Sequence, residues 1–268
     1  LAFLVTVVEL VWVAMSFSLA AVIGGGLGTW WTRTWRRRRA LVAEPFPERW
    51  RELLERRVSF YRGLDDEGRG RFEDDVRIFL AEQNIVAAQV ANFEIAEETP
   101  LLIAASAAML GHGLPDWEWT SVRDIVVHPS SFDEDYEEGG HVAGLVHHQG
   151  PVVFSQRDLR HGFRRGTDGF NPGVHELAHV MDLADGYADG VPAGWFATAP
   201  WLEVMHDRLA RVRRGDRSVP LRDYAGVNEA ELFAVAVEAF FERPKKLAQK
   251  DPELYATLRA FFNQDPAA

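Results

Sequence analysis

At 268 residues, 47% hydrophobic and 26% charged, the chain is long enough to bury one sizeable core. With a formal net charge of -11, nothing calls for a direct nucleic-acid partner, which needs a basic face to neutralise phosphates. The absence of cysteine excludes disulfides, thiolate nucleophiles and cysteine-ligated zinc, so any metal must be held by histidine and carboxylate.

Residues 1–23 are apolar apart from the charge of Glu9, and Trp30, Trp31 and Trp35 lead into Arg36-Arg-Arg-Arg39. A membrane span needs about 20 apolar residues. Tryptophans favour the interface and arginines stay on the cytoplasmic side. Residues 1–31 are therefore expected to form a transmembrane anchor and 32–45 a basic linker, with a globular domain over 46–268 in the cytoplasm. Glu9 and Gly24-Gly-Gly26 act against such a span. Met15 offers an alternative start, after which the apolar stretch is too short to cross.

Helical periodicity marks Glu48 to Val58 and, after the turn signal Gly63-Leu-Asp-Asp, Glu67 to Glu82. Thr99-Pro100 opens a third helix through the apolar run Leu101 to Leu110, proline being well tolerated in a first turn. Short β-rich runs follow at Val122 to Val127, Val142 to Val146 and Pro151 to Phe154, separated by acidic and glycine-rich loops. They read as a small sheet, with Pro151 to Phe154 an edge to which an extended peptide would add. Helices return at Val174 to Leu183, Trp201 to Arg211, Glu229 to Phe241 and Pro252 to Phe262. The expected fold class is α+β, mostly helical with a small β-sheet.

The chemistry concentrates in Asn171-Pro-Gly-Val-His-Glu-Leu-Ala-His-Val-Met-Asp182. On a helix, positions i and i+4 share a face, so His175 and His179 aim their imidazoles at one point, and two neutral imidazoles suit zinc. Glu176 is rotated about 100 degrees from His175 by the helical period, beside the metal rather than on it. There it is placed to take a proton from an activated water and deliver it to a leaving amine. Leu177, Ala178, Val180 and Met181 make the helix mostly buried, where unpaired histidines would be costly.

A catalytic zinc usually takes three protein ligands, and two positions compete for the third. Asp185 follows in the same segment but needs a sharp turn after the helix, which Asp182 supplies less readily than glycine would. Glu231 stands on the later helix with Glu229 and Glu238. Glu231 and Glu238 are seven apart and share a face with Ala234 and Val235, and a buried carboxylate needs a cation or hydrogen-bond partners. This favours Glu231. His147 and His148 are poor ligands, because adjacent residues in an extended segment point to opposite faces.

These stretches resemble the Mlc titration factor A family of zinc metallopeptidases. The resemblance is carried by Gly169 to Asp182, Asp185-Gly186, Asp223-Tyr-Ala225, Ala230 to Phe241 and Phe261 to Pro266, with weaker similarity through Gly150 to Phe154 and Phe46 to Leu64. It implies a gluzincin-like, zincin-type peptidase core similar to the anthrax lethal factor protease. Zinc would be held by His175, His179 and Glu231, with Glu176 as general base, acting on a peptide or protein substrate. Tyr224, seven residues before Glu231, would donate a hydrogen bond to the oxyanion of the tetrahedral intermediate. Asp182 would support a ligating histidine. The alternative reading is a regulatory protein that binds a transcriptional repressor, with peptidase activity secondary. The family's partner, the repressor Mlc, is not carried over, since no contact motif here supports it.

Overall fold

The computed structural model describes residues 32–268 apart from 123, 134, 137, 148, 149 and 193–199. The chain divides into two compact units, Leu1–Pro45 and Phe46–Ala268. The expected anchor over residues 1–31 lies outside the described residues. Among the described residues, no helix is long and apolar enough to cross a membrane.

In the first unit, residues 32–43, expected as a basic linker, form helix α1. The physical reason is composition: Arg, Leu and Ala are strong helix formers, and no glycine or proline interrupts them before Pro45.

The second unit begins with helices α2 (Glu48–Arg57), α3 (Ser59–Gly63) and α4 (Asp66–Glu82), followed by strand β1 (Asn84–Ala87) and helix α5 (Glu98–Gly111). Strands β2 (Asp124–His128), β3 (Gly144–Val146) and β4 (Val152–Ser155) come next. Helices α6 (Gln156–Arg164), α7 (Pro172–Asp182), α8 (Pro200–Arg213), α9 (Glu229–Glu242), α10 (Pro244–Lys250) and α11 (Pro252–Phe262) complete it. The result is the α+β class expected, mostly helical around one small sheet.

Helix α5 is the centre of the helical layer. Every residue from Leu101 to Leu110 is buried, as expected of a helix apolar all round. It packs against α4 on one side and against α6 and α7 on another. Its one polar residue in this run, Ser106, satisfies its hydroxyl internally by donating to the Leu102 carbonyl at 3.1 Å. The same core extends to where α9 meets α11: the Phe240 ring stacks on Phe262 at 5.7 Å, and Phe241 meets the same ring edge-on at 5.2 Å.

The sheet has the order β1-β2-β4-β3, with β1, β2 and β4 parallel and β3 antiparallel to β4. This corrects the expectation that Pro151 to Phe154 is an edge. Strand β4 lies between β2 and β3, with all four residues buried, because a strand covered on both faces and paired on both sides reads as a continuous apolar run. Among the described residues, the edges are β1 and β3. At the two ends of β3, Ser155 N donates to Ala143 O at 2.9 Å and His147 N donates to Pro151 O at 3.4 Å. Alternation along an antiparallel ladder therefore turns the backbone groups of Gly144 and Val146 to the open side. Val142 is expected in this strand but precedes it, bridging to Phe132 instead.

Candidate metal centre

Helix α7 is positioned from its first turn. The Asn171 side chain caps it by accepting from Val174 N at 3.2 Å, and Pro172 fills the position where a missing N–H costs nothing. The cap is itself held by α9: Asn171 N donates to Glu238 Oε1 at 2.8 Å, and Asn171 Nδ2 donates to Glu242 Oε1 at 3.0 Å. Two glutamates of one helix thus fix the start of the other. Against α5 the approach is close, since a Cβ on Gly173 would lie 2.2 Å from Ser106 Oγ. Only glycine permits it.

One turn into this helix, His175 and His179 converge, with ring centroids 4.8 Å apart and Nε2 atoms 3.2 Å apart. Glu231 enters from the first turn of α9, where Asn228 caps the helix by accepting from Glu231 N at 2.8 Å. Its Oε2 lies 3.1 Å from His175 Nε2 and its Oε1 3.6 Å from His179 Nε2. One donor atom from each of the three residues lies within 4.8 Å of the others, and among the described residues no other such cluster occurs. Asp185 is elsewhere: it is exposed, and its carboxylate accepts from Tyr187 N at 3.1 Å, closing its own turn.

The donor set fits a metal on two grounds. Tetrahedral zinc with bonds of about 2.0–2.1 Å separates its ligand atoms by roughly 3.3 Å, close to the spacings of 3.1, 3.2 and 3.6 Å found here. Glu231 Oε2 is also buried, with His175 Nε2 3.1 Å away, and a buried carboxylate is costly unless a cation faces it. Burial pulls His175 down, but the charge of Glu238 and hydrogen bonds to Glu231 and Glu238 outweigh it and push the imidazole up to about 10. Burial likewise raises Glu231, yet its hydrogen bonds to both histidines hold it well below the usual carboxylate range.

The other ring nitrogen of His175 faces Glu238. This carboxylate is fully buried and lies 3.3 Å from His175 Nδ1. Arg222 also donates to it, and that guanidinium lies 5.3 Å from the Phe170 ring centroid. A carboxylate behind a ligating histidine fixes the tautomer and aims Nε2 at the cluster. The residue expected in such a role, Asp182, is buried but accepts from Gly190 N at 3.0 Å, tying down the loop after α7. Burial pushes Asp182 up to about 6.

Glu176, the next residue of α7 after His175, reaches toward Gly144 of β3 and is 5% exposed. Burial raises its carboxyl, with His175 and His179 opposing that shift. Tyr224 sits in a short 3-10 turn before α9, half exposed, with its hydroxyl 3.4 Å from Glu231 Oε1. Burial and the negative charges of Glu231 and Glu176 push its phenol up to about 12, so it remains a donor at neutral pH. Glu176, Tyr224, Arg222 and His175 line a cavity of about 330 Å³ with Phe170 and Val142 on its apolar side. Larger cavities of about 770 Å³ exist, but they contain none of the ligand cluster. His147 contacts the Tyr136 hydroxyl and stands apart from the cluster, and His148 lies outside the described residues.

A pair of helix-borne histidines, a glutamate brought to them by a second helix, and a small mixed sheet with an open antiparallel edge define an α+β metallopeptidase fold. The family model described as glucose-regulated metallo-peptidase M90 matches residues 32–263, and the chain belongs to that family. It is 26% identical over 251 residues to an uncharacterized protein, slr2042, of Synechocystis, covering 87% of this chain and 89% of that one. It is 26% identical over 253 residues to Mlc titration factor A of Cronobacter sakazakii, covering 87% and 91%, and 28% identical over 241 residues to that of Yersinia enterocolitica, covering 82% and 86%.

Arg222, Asn171 and Glu242 were not legible as site residues from sequence. Glu238 carried a signal in its seven-residue spacing from Glu231, but its partner was not apparent.

Proposed function

We propose that this protein is a zinc-dependent peptidase in which Glu176 serves as general base and His175, His179 and Glu231 hold the metal. The observation that carries the reading is the convergence of the three donor atoms with a buried carboxylate one residue along the same helix. A zinc ion held there supplies Lewis acidity toward a scissile carbonyl and acidifies a water molecule.

Glu176, its proton affinity raised by burial, accepts the proton of the attacking water and passes it to the leaving amine. Tyr224, protonated at neutral pH, donates a hydrogen bond to the developing oxyanion. The substrate lies extended along β3, bonding to the backbone groups of Gly144 and Val146 on the open edge. Glu238 and Arg222 keep His175 oriented throughout.

The test is Glu176→Gln. The variant is expected to keep about one zinc per chain, the complement of a single catalytic site, while hydrolysis of a peptide library is lost. Unchanged hydrolysis would overturn the assignment. A second reading, binding of a transcriptional repressor, is supported by the name that two of the relatives carry, Mlc titration factor A. Full rescue of the cellular role by Glu176→Gln would favour binding over cutting.

A further inference from the structure

We infer that Gly144, on the open edge strand β3, is a positioning residue for Glu176: by having no side chain it leaves the volume that the Glu176 carboxylate occupies. A Cβ built on Gly144 would lie 2.4 Å from Glu176 Cγ, 2.5 Å from Oε1 and 2.7 Å from Cδ. Ordinary contact begins at 3.4 Å, so even alanine would require a shift of about 1 Å, since carbon contacts are optimal near 3.5–4.0 Å.

The requirement comes from the neighbour and not from the backbone. Gly144 is absent from the glycines with positive φ, so its main-chain conformation is open to any residue. Nor is helix α7 free to retreat. Its cap is held by Glu238 and Glu242, and Gly173 already brings it against Ser106. The one direction left for Glu176 is a swing of its side chain into the cavity it shares with Tyr224. That is the space a scissile bond must enter.

The same residue therefore serves both reactants. Its backbone faces the open side of the sheet, where an extended substrate would pair, and its missing side chain admits the carboxylate that must reach the water beside that substrate. The kinetic part of this inference rests on the peptidase reading; the contact itself does not.

The experiment compares wild type, Gly144→Ala, Glu176→Ala and the double variant, each loaded with zinc and assayed for zinc content, melting temperature and peptide hydrolysis. Gly144→Ala should retain its zinc and lose about 100-fold in kcat/KM, mainly through kcat, as expected for misplacing a reacting group by about 1 Å. It should melt lower by roughly 2–10 °C, the range for overpacking a buried site in a domain of this size. In the Glu176→Ala background the same substitution should leave the melting temperature unchanged, because the colliding atoms are gone.

Wild-type hydrolysis rates in Gly144→Ala, or an equal loss of melting temperature in both backgrounds, would overturn the inference. If Gly144→Ala does not fold, folding of the double variant supports the contact and failure of both refutes it. If zinc-loaded wild type cleaves no peptide, the peptidase reading falls, and the melting comparison alone decides for or against Gly144.

Discussion

Replacing Glu238 by glutamine removes a charge from the deepest part of the centre while keeping its volume. Three donors converge on the native carboxylate: Asn171 N at 2.8 Å, His175 Nδ1 at 3.3 Å, and the Arg222 guanidinium. A glutamine offers one oxygen, so its amide NH₂ must confront at least one of these donors inside a fully buried site. Leaving such a group unpaired costs about 1–3 kcal/mol. Loss of the partner behind a ligating histidine typically weakens metal binding 10- to 100-fold, or about 1.4–2.7 kcal/mol.

Proton competition shifts the expectation within that range. Glu238 is a principal cause of the raised His175 proton affinity, so the variant gives up a proton to zinc more readily, and the loss at pH 7 should fall near the lower end, about tenfold. The assay is competition between the folded, metal-free protein and a chromophoric chelator at 25 °C, with far-UV circular dichroism confirming the fold. A zinc affinity within twofold of wild type would refute the role assigned to Glu238.

Two further predictions follow from the same geometry. Tyr224→Phe should keep full zinc occupancy and KM but lower kcat by roughly 100-fold, the usual cost of removing an oxyanion donor; a kcat within twofold of wild type would exclude the hydroxyl from the reaction. Glu242→Gln should alter the pH dependence of stability. Burial pushes the Glu242 carboxyl up from 4.5 to about 7, and its Oε2 is buried without a partner. A folded-state pKa raised above the unfolded value contributes stability present below about 4.5 that is lost as pH rises through about 7. Relative to Glu242→Gln, wild type should therefore lose stability on the order of 3 kcal/mol between pH 4.5 and pH 8. Urea unfolding at the two pH values measures it, and an equal difference at both would contradict the argument.

The parts of the fold legible in the sequence are those with long, regular signals. Helix α7 announced itself through Asn171-Pro172 and its apolar run, and α5 through its uncharged stretch Leu101 to Leu110. The missed elements lack such signals. Strand β1 is four residues following directly on α4, and only Ile85 among them packs on the core. Helix α6 is largely polar, burying Leu159, Gly162 and Phe163. The error over β4 has a different cause, since a short apolar run does not reveal how many strands flank it.

By itself the sequence determined that two imidazoles share a helical face with a carboxylate beside them, because the 3.6-residue period converts spacing into direction. It determined also that Glu231 and Glu238 lie on one side of their helix. Which carboxylate meets the two histidines was decided only by the fold, since Asp185 is six residues from His179 and Glu231 is 52 (231 minus 179). Local geometry turned Asp185 back onto its own loop, whereas packing of α9 on α7 carried Glu231 to the histidines and Glu238 behind them. Proximity across such separations comes from burying two apolar helix faces together, a property of the whole core that no segment expresses alone.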